Sequence, residues 1–117
     1  MLQGIHHVAM IVSSEKSVDF YKRLGFAESL RVERKYDTVV LLAGFGTELE
    51  LFVDANHPAR EVDPERIGLR HIALRVDNIE KMAEELDVEI GPIMQDWRGI
   101  RFAFMHDPDG LPIELHE

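Results

Sequence analysis

The chain has 117 residues, 45% of them hydrophobic and 30% charged, with a formal net charge of −9 and no cysteine. That length suits one small domain; the acidic balance offers no basic face to displace the counterions of a nucleic acid, and without thiols there are no disulfides, thiolate metal sites or cysteine nucleophiles. No apolar run approaches the roughly 18–20 residues of a membrane span, and Met1-Leu2-Gln3-Gly4 lacks the basic start and apolar core of a signal peptide, so a reducing cytoplasm is the expected location.

Residues 4–12 alternate as a strand, with His7, Ala9 and Ile11 on one face and Val8, Met10 and Val12 on the other, the second face expected beneath a helix. That helix should begin after Ser13 or Ser14, either of which can cap its free amides. It should carry Val18, Tyr21 and Leu24 at a spacing of three, with Phe20 beside them, and end at Gly25. Residues 26–33 and 36–43 read as strands joined by a charged turn around Arg34 and Lys35. Gly44-Phe45-Gly46 leads into a strand at 47–53, where Leu49, Leu51 and Val53 face one way and Glu50 and Phe52 the other. Residues 54–67 form a polar linker with two prolines and no period. A helix is expected from about Asn78 through Ile79, Met82, Ala83 and Leu86, then strands near 88–94, 100–106 and 111–116. Asp107-Pro108-Asp109-Gly110 is a turn, and 95–99, with Trp97 and Arg98, is an edge loop.

The two halves repeat one another. Gly4-Ile5-His6-His7-Val8-Ala9-Met10-Ile11-Val12 returns 64 positions later as Gly68-Leu69-Arg70-His71-Ile72-Ala73-Leu74-Arg75-Val76, and the same offset carries Gly46 to Gly110, Leu49 to Ile113, Glu50 to Glu114 and Leu51 to Leu115. Such a repeat fixes the architecture. The chain is therefore expected to be an α+β fold of two tandem βαβββ modules, residues 4–53 and 68–117, joined by the linker 54–67 into a single domain. Each mixed sheet should be covered by its helix on one side, and the two sheets should curl into a cup. By strand parity His7, Glu50, His71 and Glu114 point into that cup. A lone strand histidine is ordinarily a packed or hydrogen-bonded residue; a histidine and a glutamate recurring together at one offset point instead to a metal site. Two imidazoles and two carboxylates suit Zn²⁺, Ni²⁺, Co²⁺, Mn²⁺ or Fe²⁺ and leave two of six positions for water or substrate oxygens. Phe52 and, by their shared parity, Arg101, Ala103 and Met105 are expected in the cup as well. The planar fork of Arg101 would clamp a carboxylate or phosphate. Trp97 would cap the pocket or anchor a dimer contact, while His6 is expected to be structural and His116 to reach the rim.

At this point the sequence resembles the vicinal oxygen chelate superfamily, and within it the small glyoxalase-like proteins. Residues 5–10 (IHHVAM) resemble the family's opening strand and 17–26 (SVDFYKRLGF) its first helix and turn; 48–52, 70–79 and 107–115 match its remaining signatures. The resemblance implies the ligand set His7, Glu50, His71 and Glu114, one divalent ion per site, and a homodimer in which modules from two chains complete each site. It implies a lyase or isomerase that chelates neighbouring oxygens of a small α-oxo substrate on the metal, a Lewis acid, while a carboxylate moves a proton between adjacent carbons. Glu114 is favoured as that base, with Glu50 the more constant ligand. Two positions depart from the glutathione-using enzymes: the place of their carboxylate-binding arginine is Ile11, with Arg75 at the repeat-equivalent position, and the place of their asparagine is Asp54. Both argue against glutathione. Alternatives within the fold are a drug-binding protein without chemistry, an acyl-thioester epimerase and an epoxide-opening thiol transferase. The last two fit the presence of Glu50 poorly, and the complete ligand set speaks against the first.

Overall fold

The computed structural model describes residues 1–117, which divide into two compact units, 1–58 and 59–117. The first contains β1 (Val8–Val12), α1 (Glu15–Arg23), β2 (Ala27–Glu33), β3 (Thr38–Gly44) and β4 (Thr47–Val53). The second contains β5 (Ile72–Arg75), α2 (Ile79–Leu86), β6 (Met94–Gln95), β7 (Arg101–His106) and β8 (Pro112–His116). Each unit is thus a βαβββ module with a four-stranded mixed sheet, ordered β1-β4-β3-β2 in one and β5-β8-β7-β6 in the other. The first strand of each pairs parallel with the last, and the remaining pairs are antiparallel.

In the first unit, parity sorts the strands into two unlike faces. Val8, Met10 and Val12 lie in register with Leu49, Leu51 and Val53, and Leu49 and Leu51 with Leu42 and Val40. Val12, Val40, Leu42, Leu49 and Leu51 are buried, as are Val18, Phe20 and Tyr21 of α1. Ser14 caps that helix, its side chain accepting from the Lys16 amide, and Gly25 stops it at φ +115. A side chain at Gly25 would be strained in that backbone and would also meet the Phe45 ring at 2.8 Å. The other face is open: Ile11, Leu30 and Val32 are exposed there around half-buried Glu50 and Phe52.

The second unit repeats this plan. Ile79 of α2 is buried along with Ala103, Met105, Ile113 and Leu115 of the sheet. Asn78, expected as about the first residue of α2, is its cap and accepts from the Lys81 amide. Two strand expectations are corrected. The first strand begins at Val8 rather than at residue 4, where Gly4 takes φ +146, and the strand expected at 88–94 is reduced to Met94–Gln95. Pro92 has no amide hydrogen to give a ladder, and before β6 only the Gly91 amide reaches across, to the Phe104 carbonyl at 2.9 Å.

Candidate metal centre

In the first unit, Ala9 is the register partner of Glu50, and His7 comes just before β1. His7 Nε2 stands 3.8 Å from Glu50 Oε2, and the side chains are 38% and 25% exposed. In the second unit Ala73 is the partner of Glu114, and His71 Nε2 stands 3.7 Å from Glu114 Oε1, with side chains 24% and 17% exposed. The offset of 64 therefore reproduces a spatial pairing and not merely a spelling. Both separations are too long for hydrogen bonds. Both lie within the roughly 4 Å that two donors can span when each is bonded to one ion at about 2.0–2.2 Å. The donor chemistry, one imidazole nitrogen and one carboxylate oxygen in each module, fits a divalent transition ion.

The two histidines differ at their other nitrogen. His71 Nδ1 is buried with no hydrogen-bond partner, and the ring stands edge-on to Phe104 with centroids 5.0 Å apart. His7 Nδ1 lies 2.9 Å from His6 Nδ1. Glu48 completes a group with these two, their donor atoms lying within 4.8 Å of one another. His6 was expected only to be structural.

Phe52 shares Glu50's face, and the Arg34 guanidinium lies 5.4 Å above its ring. Arg75, in register with His116, is exposed on the same face as Glu114. Trp97 stands fully exposed in the loop after β6. Arg101 does not share Glu114's face, contrary to the parity reading of β7. Ala103 and Met105 pair with Leu115 and Ile113 and are buried on the core face. Arg101 follows them to the helix side, where it pairs with Glu80 of α2 and with Glu117, the latter at 3.4 Å. The residues of β7 that do face Glu114 are Phe104, its direct partner, and Phe102 beside His116. The reason lies in the hairpin. Leu41 and Glu50 are nine positions apart, whereas Phe104 and Glu114 are ten, and one extra residue flips every side chain of a strand. That longer turn is held by buried Asp107, whose Oδ1 accepts from the Asp109 and Leu111 amides, both at 2.9 Å.

His116 is stacked on Phe102, and both its ring nitrogens face acceptors: Asp96 Oδ2 at 2.9 Å and the Glu117 carbonyl at 3.1 Å. Asp96 Oδ1 in turn accepts from the Ile100 and Arg98 amides. The Ile100 amide above all, then the Arg98 amide and His116, bring the Asp96 carboxyl down from 3.8 to about 2. A carboxyl depressed on folding adds stability that is complete above its unfolded value and lost as pH falls through its folded one. Asp96 should therefore contribute to acid sensitivity between pH 3.8 and about 2. Urea unfolding across that range should show a shallower pH dependence for Asp96→Asn than for the unsubstituted chain; equal slopes would refute the assignment.

Against known proteins, a family model described as the Glyoxalase/Bleomycin resistance protein/Dioxygenase superfamily matches residues 4–115. The chain is 41% identical to the uncharacterized protein YwkD of Bacillus subtilis (strain 168), covering 100% of this chain and 98% of that one. It is 29% identical to lactoylglutathione lyase of Escherichia coli O157:H7, over 97% of this chain and 90% of that one. Among solved structures, the glyoxalase family protein from Enterococcus faecalis superimposes with a TM-score of 0.89 at 37% identity, covering 98% of each chain. The E126Q mutant of the fosfomycin resistance protein FosX from Listeria monocytogenes, complexed with Mn(II) and 1S,2S-dihydroxypropylphosphonic acid, has a TM-score of 0.78 at 20% identity, over 99% of this chain and 92% of that one. At that identity the likeness is one of fold. The duplicated βαβββ plan, the paired histidines and glutamates and the family match converge on one conclusion: this chain belongs to the Glyoxalase/Bleomycin resistance protein/Dioxygenase superfamily.

Proposed function

We propose that this protein is a divalent-metal-dependent lyase or isomerase of the glyoxalase type, with His7, Glu50, His71 and Glu114 as the ligands of one ion. The observation that carries this reading is the doubled pair: in each module an imidazole nitrogen faces a carboxylate oxygen at 3.7 or 3.8 Å, too far to hydrogen-bond and close enough to share a cation. The relative named lactoylglutathione lyase and the Mn(II) in a FosX structure of the same fold support it. The modules come together within one chain or by exchange between two chains of a homodimer.

The substrate class is a small 2-oxoaldehyde adduct of a thiol. A bound ion supplies Lewis acidity that makes the carbon-bound hydrogen beside its chelated oxygens easier to remove. The chain's own part is to move that hydrogen. The Glu114 carboxylate takes the proton from the hemithioacetal carbon and returns it to the adjacent carbonyl carbon, while the hydroxyl proton leaves and the old carbonyl oxygen gains one. The product is a 2-hydroxy thioester, an isomer of the substrate, so no oxidant or reductant is required. Phe102 and Phe104 flank Glu114 on this face and offer apolar area to the substrate's carbon chain. Arg75, exposed on the same face, can meet an anionic group. A thiol other than glutathione is the better partner. Ile11 stands where a carboxylate-binding arginine would, and acidic Asp54 is already engaged by the Asn56 amide at 2.9 Å and by His57 at 3.2 Å.

The test is metal content by plasma mass spectrometry on untagged protein, followed by turnover of hemithioacetals made with several thiols. About one divalent ion per site and thiol-dependent isomerisation are expected. No ion after reconstitution with Ni²⁺, Zn²⁺, Co²⁺, Mn²⁺ and Fe²⁺ would remove the chemistry and leave a binding protein of this fold.

A further inference from the structure

We infer that His6 is a positioning residue for the metal centre: it accepts the Nδ1–H of His7 and so keeps the Nε2 lone pair of His7 free to bind the ion. This inference rests on the metal reading above. A neutral imidazole carries one ring proton, so of two Nδ1 atoms 2.9 Å apart one donates and one accepts. Were His6 the donor, the proton of His7 would sit on Nε2. That nitrogen faces Glu50 at 3.8 Å, too far for the N–H to find its acceptor. With His7 as donor, Nδ1–H is satisfied and Nε2 points an unprotonated lone pair at the carboxylate with which it would share a cation. Outer partners of this kind fix the tautomer and orientation of metal-binding histidines.

The backbone makes the contact possible. Neighbouring residues of a regular strand point to opposite faces. His6 and His7 precede β1, however, close to Gly4 at φ +146, and their rings meet edge to face with centroids 5.2 Å apart. The repeat has no counterpart. Arg70 occupies the position equivalent to His6, its guanidinium pairs with Glu65 at 3.2 Å, and His71 Nδ1 has no partner at all. Only the first half carries its own orienting group.

The test compares zinc affinity, measured by chelator competition, in the unsubstituted protein, His6→Leu and His6→Asn, with ¹⁵N NMR of the histidine rings in the zinc-loaded state. His6→Leu should bind about 10- to 100-fold more weakly, the usual cost of losing an outer partner. His6→Asn should return to within about threefold, because its amide oxygen can take the place of Nδ1 as acceptor. The spectra should show His7 protonated at Nδ1, with that resonance moving in His6→Leu and not in His6→Asn. Unchanged affinity in both variants, or equal losses in both, would overturn the role of His6 while leaving the metal centre intact. So would a second zinc ion per chain that is lost in Glu48→Gln, since His7 Nδ1 would then be a ligand rather than a donor. If the unsubstituted protein binds no zinc, or binds it undiminished in His71→Ala, the metal reading itself fails and this inference with it.

Discussion

His71→Ala is expected to weaken divalent-metal binding by well over the about 100-fold upper range for loss of an outer partner, because it removes a ligand outright. Of the two histidines, His71 has the less exposed side chain, 24% against 38% for His7. Its Nδ1 is the buried side-chain atom left without any hydrogen bond. The nitrogen that would bind the ion is the other one, Nε2, which faces Glu114 Oε1 at 3.7 Å. The ring also packs edge-on to Phe104, so truncation leaves a gap and lowers stability whether or not an ion is ever bound. The informative readout is therefore the shift in melting temperature that zinc or nickel produces, not the melting temperature itself. A ligand that binds only the folded state stabilises it by RT ln(1 + [L]/Kd), with [L] the free ligand concentration. The unsubstituted protein should gain a concentration-dependent rise, and His71→Ala should gain little or none. A variant that melts lower yet shows the full rise would mean that His71 is a packing residue.

The core and the opposite turn of the two glutamates were legible because period-two alternation and the repeat agreed: Leu49, Leu51, Ile113 and Leu115 are buried, and their neighbours Glu50 and Glu114 are turned the other way. The cap of α1 was legible because a serine before an amphipathic run satisfies free amides locally, whereas Asn78, expected only as about the start of α2, turns out to be its cap. What failed was parity carried across a turn. The place of Arg101 depends on how many residues the hairpin after β7 consumes, and neither composition nor periodicity counts them; the Asp107 side chain does, by holding two amides of the turn. The cost of that slip was concrete, since Phe102 and Phe104, which flank Glu114, were passed over for Arg101, Ala103 and Met105. His6 was passed over for a related reason: the alternation that sets it opposite His7 holds only inside a strand, and β1 starts after both. The duplicated histidines and glutamates were legible for the opposite reason. Ala9 with Glu50 and Ala73 with Glu114 are register partners in parallel pairs, and neither pair has a hairpin in which register can slip.

Two glutamates at equivalent positions raise the question of which one moves the proton, and isosteric amides answer it. Glu114→Gln should lower turnover by about 10²- to 10⁴-fold, the usual contribution of a positioned general base. Its metal affinity should change far less, because the remaining amide oxygen can still reach an ion but cannot take a proton. Glu50→Gln should show the reverse emphasis, with weakened metal binding and activity restored in part by excess metal. The structural difference between the two lies across the strand. Leu41 partners Glu50, whereas Phe104 partners Glu114, with Phe102 two residues away beside His116. The Glu114 side chain is also the less exposed, 17% against 25%. An aromatic wall beside a carboxylate keeps water from a carbon acid during proton transfer and gives a substrate's carbon chain a surface to lie on. Hydrogen exchange at the reacting carbon separates the step itself from binding. In deuterium oxide, substrate held by metal-loaded Glu114→Gln should exchange no more than free substrate does, while Glu50→Gln loaded with excess metal should exchange. Exchange retained in Glu114→Gln and lost in Glu50→Gln would transfer the base to the first module, and exchange retained in both would remove the carboxylates from the proton transfer altogether.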